Sequence, residues 1–115
     1  MANPSGRKGA SWEKDVAVYL ASNGFELAER RVKEGRFDRG DISGVPLYTI
    51  ECKAERVIDL PGYLRELKVE QANADTPFGV VFVKARRHGT AEGYAVRTIE
   101  DEVALMRLLV NGEHA

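Results

Sequence analysis

The fold turns on one stretch, Arg39-Gly40-Asp41-Ile42-Ser43-Gly44-Val45-Pro46-Leu47-Tyr48-Thr49-Ile50-Glu51-Cys52-Lys53-Ala54-Glu55. An acid follows a glycine near its start. Ser43-Gly44-Val45-Pro46 has the residue types of a turn. Residues 47–53 then read as a strand rich in aromatic and β-branched side chains, interrupted by Glu51 and Lys53. Side chains alternate faces along a strand, so Glu51 and Lys53 share one face while Ile50 and Cys52 take the other. Pairing 42–44 with 47–53 as a hairpin brings Asp41 and Glu51 toward its open end, where two carboxylates and a lysine converge.

Such a grouping has a chemical use. Mg²⁺ is a hard cation held by one or two carboxylates, water and phosphate oxygens. Asp41 and Glu51 are the candidate ligands, with the backbone carbonyl of Cys52 as a further oxygen and Mn²⁺ as a substitute ion. The cation would polarise a phosphodiester and lower the pKa of a bound water. Lys53 would position that water or stabilise charge developing on the phosphorus oxygens. Acid-x-Lys triplets are common, and a surface hairpin with an ordinary Glu–Lys pair is the competing reading. The upstream Gly-Asp, the intervening turn and the apolar run into Glu51 favour a site.

Asp41, Glu51 and Lys53, written as Gly-Asp-Ile and Ile-Glu-Cys-Lys, resemble the motif of the PD-(D/E)xK nuclease superfamily. The order of elements is most similar to the archaeal-type Holliday-junction resolvases. In those, a Gly-rich basic N-terminus leads into a helix with an early glutamate, here Arg7-Lys8-Gly9-Ala10-Ser11-Trp12-Glu13. Gly24-Phe25, Arg30-Arg31, the Lys68-Val69-Glu70-Gln71 helix and the apolar run 80–83 continue the match over roughly residues 6–110. Arg39-Gly40 departs from the usual proline before the acid, which brings Asp38 in as a neighbouring candidate; Asp41 is preferred because Ile42 continues the strand. The resemblance implies a restriction-endonuclease-like α/β core and adds Glu13 to the catalytic set of Asp41, Glu51 and Lys53, reaching the metal directly or through water. Without it, Glu13 reads as a solvated first-turn acid favoured by the helix dipole.

Composition sets bounds. A chain of 115 residues, 43% hydrophobic, fits one domain with a real core. The net charge of −1 excludes a globally basic nucleic-acid binder, so any DNA surface must come from clustered charge. A single cysteine, Cys52, excludes an internal disulfide and a cysteine-based zinc site, and reads as a small buried hydrophobe. No apolar run is long enough for a membrane span and no signal-peptide pattern is present, so the expected setting is intracellular and cytoplasmic. A nucleoid-associated or a phage-encoded protein would both fit.

Along the chain, residues 1–9 are small, polar and basic and read as a flexible arm, with 10–112 a single nuclease domain. Residues 10–23 form the first helix, with Trp12, Val16, Tyr19 and Leu20 at helical spacing and Gly24 as the stop. A first strand is predicted over 25–32. Residues 30–40 form a charged loop, and a second helix runs over about 60–74, capped by Asp59 with Pro61 in its first turn. Residues 78–84 make a strand buried on both faces. A short strand follows at 94–97, then a last helix capped by Thr98 with Asp101 in the capping box. The mixed central sheet is thus flanked by helices in the order αβββαββα. Candidate DNA contacts are Arg7 and Lys8 in the arm, Arg30, Arg31, Lys33, Arg36 and Arg39 in the loop, Lys68 and Gln71 on the second helix, and Arg86 and Arg87 after the buried strand. Neutralising phosphates is the main source of affinity for such surfaces.

The resemblance implies a Mg²⁺-dependent, structure-selective DNA endonuclease that resolves four-way junctions by phosphodiester hydrolysis. Two symmetrical nicks call for a homodimer. The alternatives are another PD-(D/E)xK DNA nuclease of restriction, repair or transposition type, or a non-catalytic DNA-binding module on the same scaffold. Intact Asp41, Glu51 and Lys53 argue against the last.

Overall fold

The computed structural model describes residues 4–32, 35 and 37–112, with only the backbone of 4–7. Its elements are α1 (Pro4–Ser22), β1 (Glu29–Arg30), β2 (Ile42–Ser43), β3 (Tyr48–Lys53), α2 (Leu60–Ala74), β4 (Phe78–Val83), a 3-10 turn (Thr90–Glu92), β5 (Tyr94–Val96) and α3 (Ile99–Asn111). The expected hairpin forms: β2 and β3 run antiparallel, with Ile42 opposite Ile50. The five strands lie in chain order in one open sheet. Neighbours are antiparallel except β3 and β4, which are parallel. Parallel neighbours need a long crossover, and α2 supplies it.

Alternation along β3 and β4 decides what each helix meets. Ile50, Cys52 and Val80 pack with Trp12, Val16 and Ala17 of α1. On the opposite face Val81 and Val83 pack with Tyr63 and Leu67 of α2. The sheet is therefore the middle of three layers. Trp12 also ties α1 to the sheet, its indole N–H donating to the Phe82 carbonyl at 2.9 Å. The register sets Glu51 beside Val81 and Lys53 beside Val83, so both charged residues face α2.

The helix signals act as the sequence predicts. The Asp59 carboxylate accepts from the Gly62 amide at 3.1 Å, and Pro61 sits in the first turn of α2. The Thr98 hydroxyl accepts from the Asp101 amide at 3.2 Å at the head of α3. Caps of this kind stabilise a helix by about 1 kcal/mol. Gly79 serves packing: a Cβ there would come within 2.5 Å of the Gln71 side-chain oxygen, so glycine lets α2 lie down on β4.

Two expectations change, and α3 packs differently from the other helices. The predicted 1–9 arm is helical from Pro4, because α1 begins there rather than at residue 10; a proline in the first helical turn lacks an N–H that would be unsatisfied anyway. The strand predicted over 25–32 shrinks to Glu29–Arg30. Phe25 and Leu27 stay exposed, because the chain turns there, with the Ala28 amide donating to the Phe25 carbonyl at 2.9 Å. The apolar α3 buries no residue completely and is tied to α2 by an ion pair of Lys68 with Asp101 at 2.8 Å. Among the described residues, no helix is long and apolar enough to cross a membrane.

Candidate metal centre

β3 is sandwiched between two helices, so an acid on it is buried whichever way it points. Glu51 is only 4% exposed. Burying a carboxylate is costly without compensation, yet Lys53 Nζ stands 3.9 Å away. That lysine is closer to Glu66 of α2, at 2.9 Å, and lies over the Tyr63 ring at 5.1 Å from its centroid. Burial opposes the lysine's charge, but the Glu66 hydrogen bond and Glu51 outweigh it and hold the ammonium pKa above its ordinary value.

Three further acids surround Glu51. Asp41 immediately precedes β2, and its backbone N–H donates to the Ile50 carbonyl at 2.8 Å. Its Oδ2 accepts from the Cys52 amide at 2.8 Å, extending the hairpin ladder with a side chain. Asp38 lies in the preceding loop, its Oδ1 accepting from the Gly40 amide at 2.9 Å. Asn73 of α2 holds that loop by donating to the Asp38 carbonyl at 2.8 Å. Gly40 has φ +95°, and a Cβ there would lie 3.0 Å from the Ile50 carbonyl oxygen, so glycine lets the loop close over β3. Glu70 comes from α2 and is 3% exposed. Asp38, Glu51 and Glu70 each offer a carboxylate oxygen, all within 4.8 Å of one another. Among the described residues, Glu51 Oε1 and Glu70 Oε2 are buried with no hydrogen-bond donor.

Like charges crowded out of water hold protons. Burial, then the hydrogen bonds and charges of Asp41 and Glu70, push Glu51 up to about 12. Burial raises Glu70 to about 7, against the opposing effect of a hydrogen bond from Glu51. Burial and the surrounding acids also push the Cys52 thiol up, so it is a packed hydrophobe and no nucleophile. The all-oxygen donor set, with two buried oxygens lacking donors, suits a hard divalent cation.

The predicted catalytic residues fall in one place. Glu13, Asp41, Glu51, Cys52 and Lys53 line a cleft of about 330 Å³, together with Asp38. Glu13 sits at its edge and pairs with Arg30 at 3.3 Å. Lys8 lines this cleft and also a second of about 330 Å³ that holds Lys84, Arg86 and Arg87. The acidic cleft therefore borders a basic one.

Other candidates land elsewhere. Lys68 turns away to Asp101 of α3. Gln71 is buried over Gly79, out of reach of a DNA backbone. The Arg31 amide donates to the Asp41 carbonyl at 2.8 Å, bracing the loop, while its side chain is half-buried. Arg39 is exposed. Lys33, Arg36 and the side chain of Arg7 lie outside the described residues. Glu66 and Glu70 are the neighbours that the sequence reading misses. Their signal is the spacing of Tyr63, Glu66, Leu67 and Glu70 on one helical stripe, which carries the acids onto the same sheet face as Glu51. No family model, curated protein or solved structure matches the chain.

Proposed function

We propose that this chain is a divalent-metal-dependent DNA endonuclease with a restriction-endonuclease-like core, of the PD-(D/E)xK kind and most like a Holliday-junction resolvase. One observation carries the reading: Asp41, Glu51 and Lys53 open into a single cleft that borders a second, basic cleft. The acids suit a cation and the basic cleft suits a phosphate chain. Gly40 stands where the family usually has proline, and its φ of +95° is one that a proline, fixed near −65°, cannot adopt, so the backbone before Asp41 departs from the family's pattern.

A bound Mg²⁺ would supply a Lewis acid toward the phosphodiester and an activated water. This chain's own residues do the rest. Glu51 provides an oxygen, and Asp41 fixes β3 beside it through the Cys52 amide. Lys53, half-buried and kept charged, would stabilise charge developing on the phosphate. Lys8, Arg86 and Arg87 line the path along which the DNA backbone would leave the cleft.

Resolution of a junction needs two such centres in one assembly. Tyr63 and Leu67 of α2 are spent on the core and offer no two-fold contact. On α3, Ile99, Leu109 and Val110 are 84%, 83% and 79% exposed. Set antiparallel against a second copy, this face joins Ile99 to Val110 and Val103 to Met106, and brings Glu100 beside the partner's Arg107.

The test is incubation with four-way junction, duplex and single-stranded DNA, in Mg²⁺ and in EDTA. Cleavage of the junction in Mg²⁺ alone is the expected result. Inactivity on all three substrates in Mg²⁺ and in Mn²⁺ would remove the nuclease reading.

A further inference from the structure

The carboxylates that the sequence motif points to are Asp41 and Glu51, but the oxygens that the fold leaves without donors are differently placed. Asp41 Oδ2 is engaged by the Cys52 amide. Glu51 Oε1 and Glu70 Oε2 meet no donor among the described residues, although their side chains are 4% and 3% exposed. Asp38 brings a third oxygen to the same spot, within 4.8 Å of the other two. These three residues come from three separate segments: the loop before β2, the middle of β3, and α2. Nothing in the local sequence joins them, so only the closed fold assembles the group.

We propose that Asp38, Glu51 and Glu70 form the divalent-cation centre, with Glu70 as a ligand contributed by α2 and Asp41 as a positioning residue that fixes β3 through the Cys52 amide. A cation there satisfies both buried oxygens at once, takes the place of the protons that crowding forces on the acids, and clamps loop, sheet and helix together. Lys53 is no substitute, because it is drawn off to Glu66. The Asn73 side chain, one helical turn beyond Glu70, holds the Asp38 backbone and keeps the exposed ligand over the buried two. The inference rests on the divalent-cation part of the proposed function, but its test needs no DNA.

The experiment measures Mn²⁺ binding by calorimetry, and thermal unfolding in Mn²⁺ and in EDTA, on the full chain. Wild type should bind Mn²⁺ and gain in unfolding temperature. Glu70→Gln should bind at least about tenfold more weakly, since second partners of ligating groups already count for 10–100-fold. It should also unfold at a higher temperature than wild type in EDTA, because one repelling carboxylate is gone. That crossing of the two curves distinguishes a ligand from a packing residue, whose loss would lower both. Glu100→Gln on α3 controls for loss of an acid elsewhere and should bind as wild type. Should Glu70→Gln not fold, Asp38→Asn, altering an exposed side chain, carries the same tenfold expectation. Wild-type affinity in Glu70→Gln, or no Mn²⁺ binding by wild type, overturns the proposal. Weak binding by Glu70→Gln alongside a protein that cleaves no DNA would leave the centre standing and remove the nuclease reading instead.

Discussion

The two faces of β3 are covered by helices to a similar depth, but they hold opposite chemistry. Toward α1 lie Ile50 and Cys52, packed with Trp12, Val16 and Val80 in an ordinary apolar core. Toward α2 lie Thr49, Glu51 and Lys53, and the helix answers with Glu66 and Glu70. Two buried carboxylates on one face are a cost that packing alone does not repay. A core needs only the first face. The second makes sense when a ligand completes it.

That contrast can be broken most severely by chemistry. Glu51→Gln, or Asp41→Asn, should cut Mg²⁺-dependent DNA cleavage by on the order of 100-fold or more, the scale of losing one preorganised charge-stabilising group. Fold and DNA binding should survive, and binding should tighten as negative charge leaves a phosphate-facing cleft. Circular dichroism with a gel-shift assay separates the two effects. On the other face the pattern reverses: Ile50→Ala should cost about 2–5 kcal/mol in urea unfolding. The residual folded protein should keep its cation site.

Acid titration sharpens the comparison. Glu70 rises from an ordinary 4.5 to about 7 through burial, surrounded by Asp38, Asp41, Glu51 and Glu66, with Lys53 paired to Glu66. A carboxyl raised in the folded state costs stability as pH rises, because the unfolded chain gives up its proton first and the folded state cannot follow. Its contribution is therefore fully present below pH 4.5 and is lost as pH climbs through about 7. Glu51, raised further, acts in the same direction. In EDTA, chemical-denaturation stability should decline between about pH 5 and pH 7, and Glu70→Gln should flatten that slope. Saturating Mn²⁺ should reverse the trend, because ligands must deprotonate to bind.

Smaller effects belong to the periphery. Charge reversal at Arg86 and Arg87 should weaken junction binding and lower the slope of log affinity against log salt by about 0.9 for each phosphate no longer neutralised. Leu109→Lys on α3 should leave unfolding within about 0.5 kcal/mol of wild type, as for exposed sites generally. In sedimentation it should convert a dimer to a monomer.

Much of the fold is legible from residue order. The hairpin of β2 and β3, the buried β4 run and both helix caps follow from local rules, and the alternation of Ile50-Glu51-Cys52-Lys53 fixes which side chains share a face. The first edge strand is less legible, because Phe25 and Leu27 carry strand-like composition into a turn that a backbone hydrogen bond decides. Glu70 is hidden for another reason. It looks like any polar residue on a helix until the crossover lays that helix over Glu51, which is a long-range fact. Lys68, two residues earlier, is its mirror image: it looks like a site residue and goes to Asp101.

On the proposed function, the polar face of β3 cuts DNA with a divalent cation. The most direct measurement compares wild type and Glu51→Gln on a supercoiled plasmid carrying an extruded cruciform, in Mg²⁺ and in EDTA. Linear product from wild type in Mg²⁺ only, and none from the variant, is the predicted result. Wild type that leaves the plasmid intact in Mg²⁺, or a variant that cuts as wild type does, would contradict it.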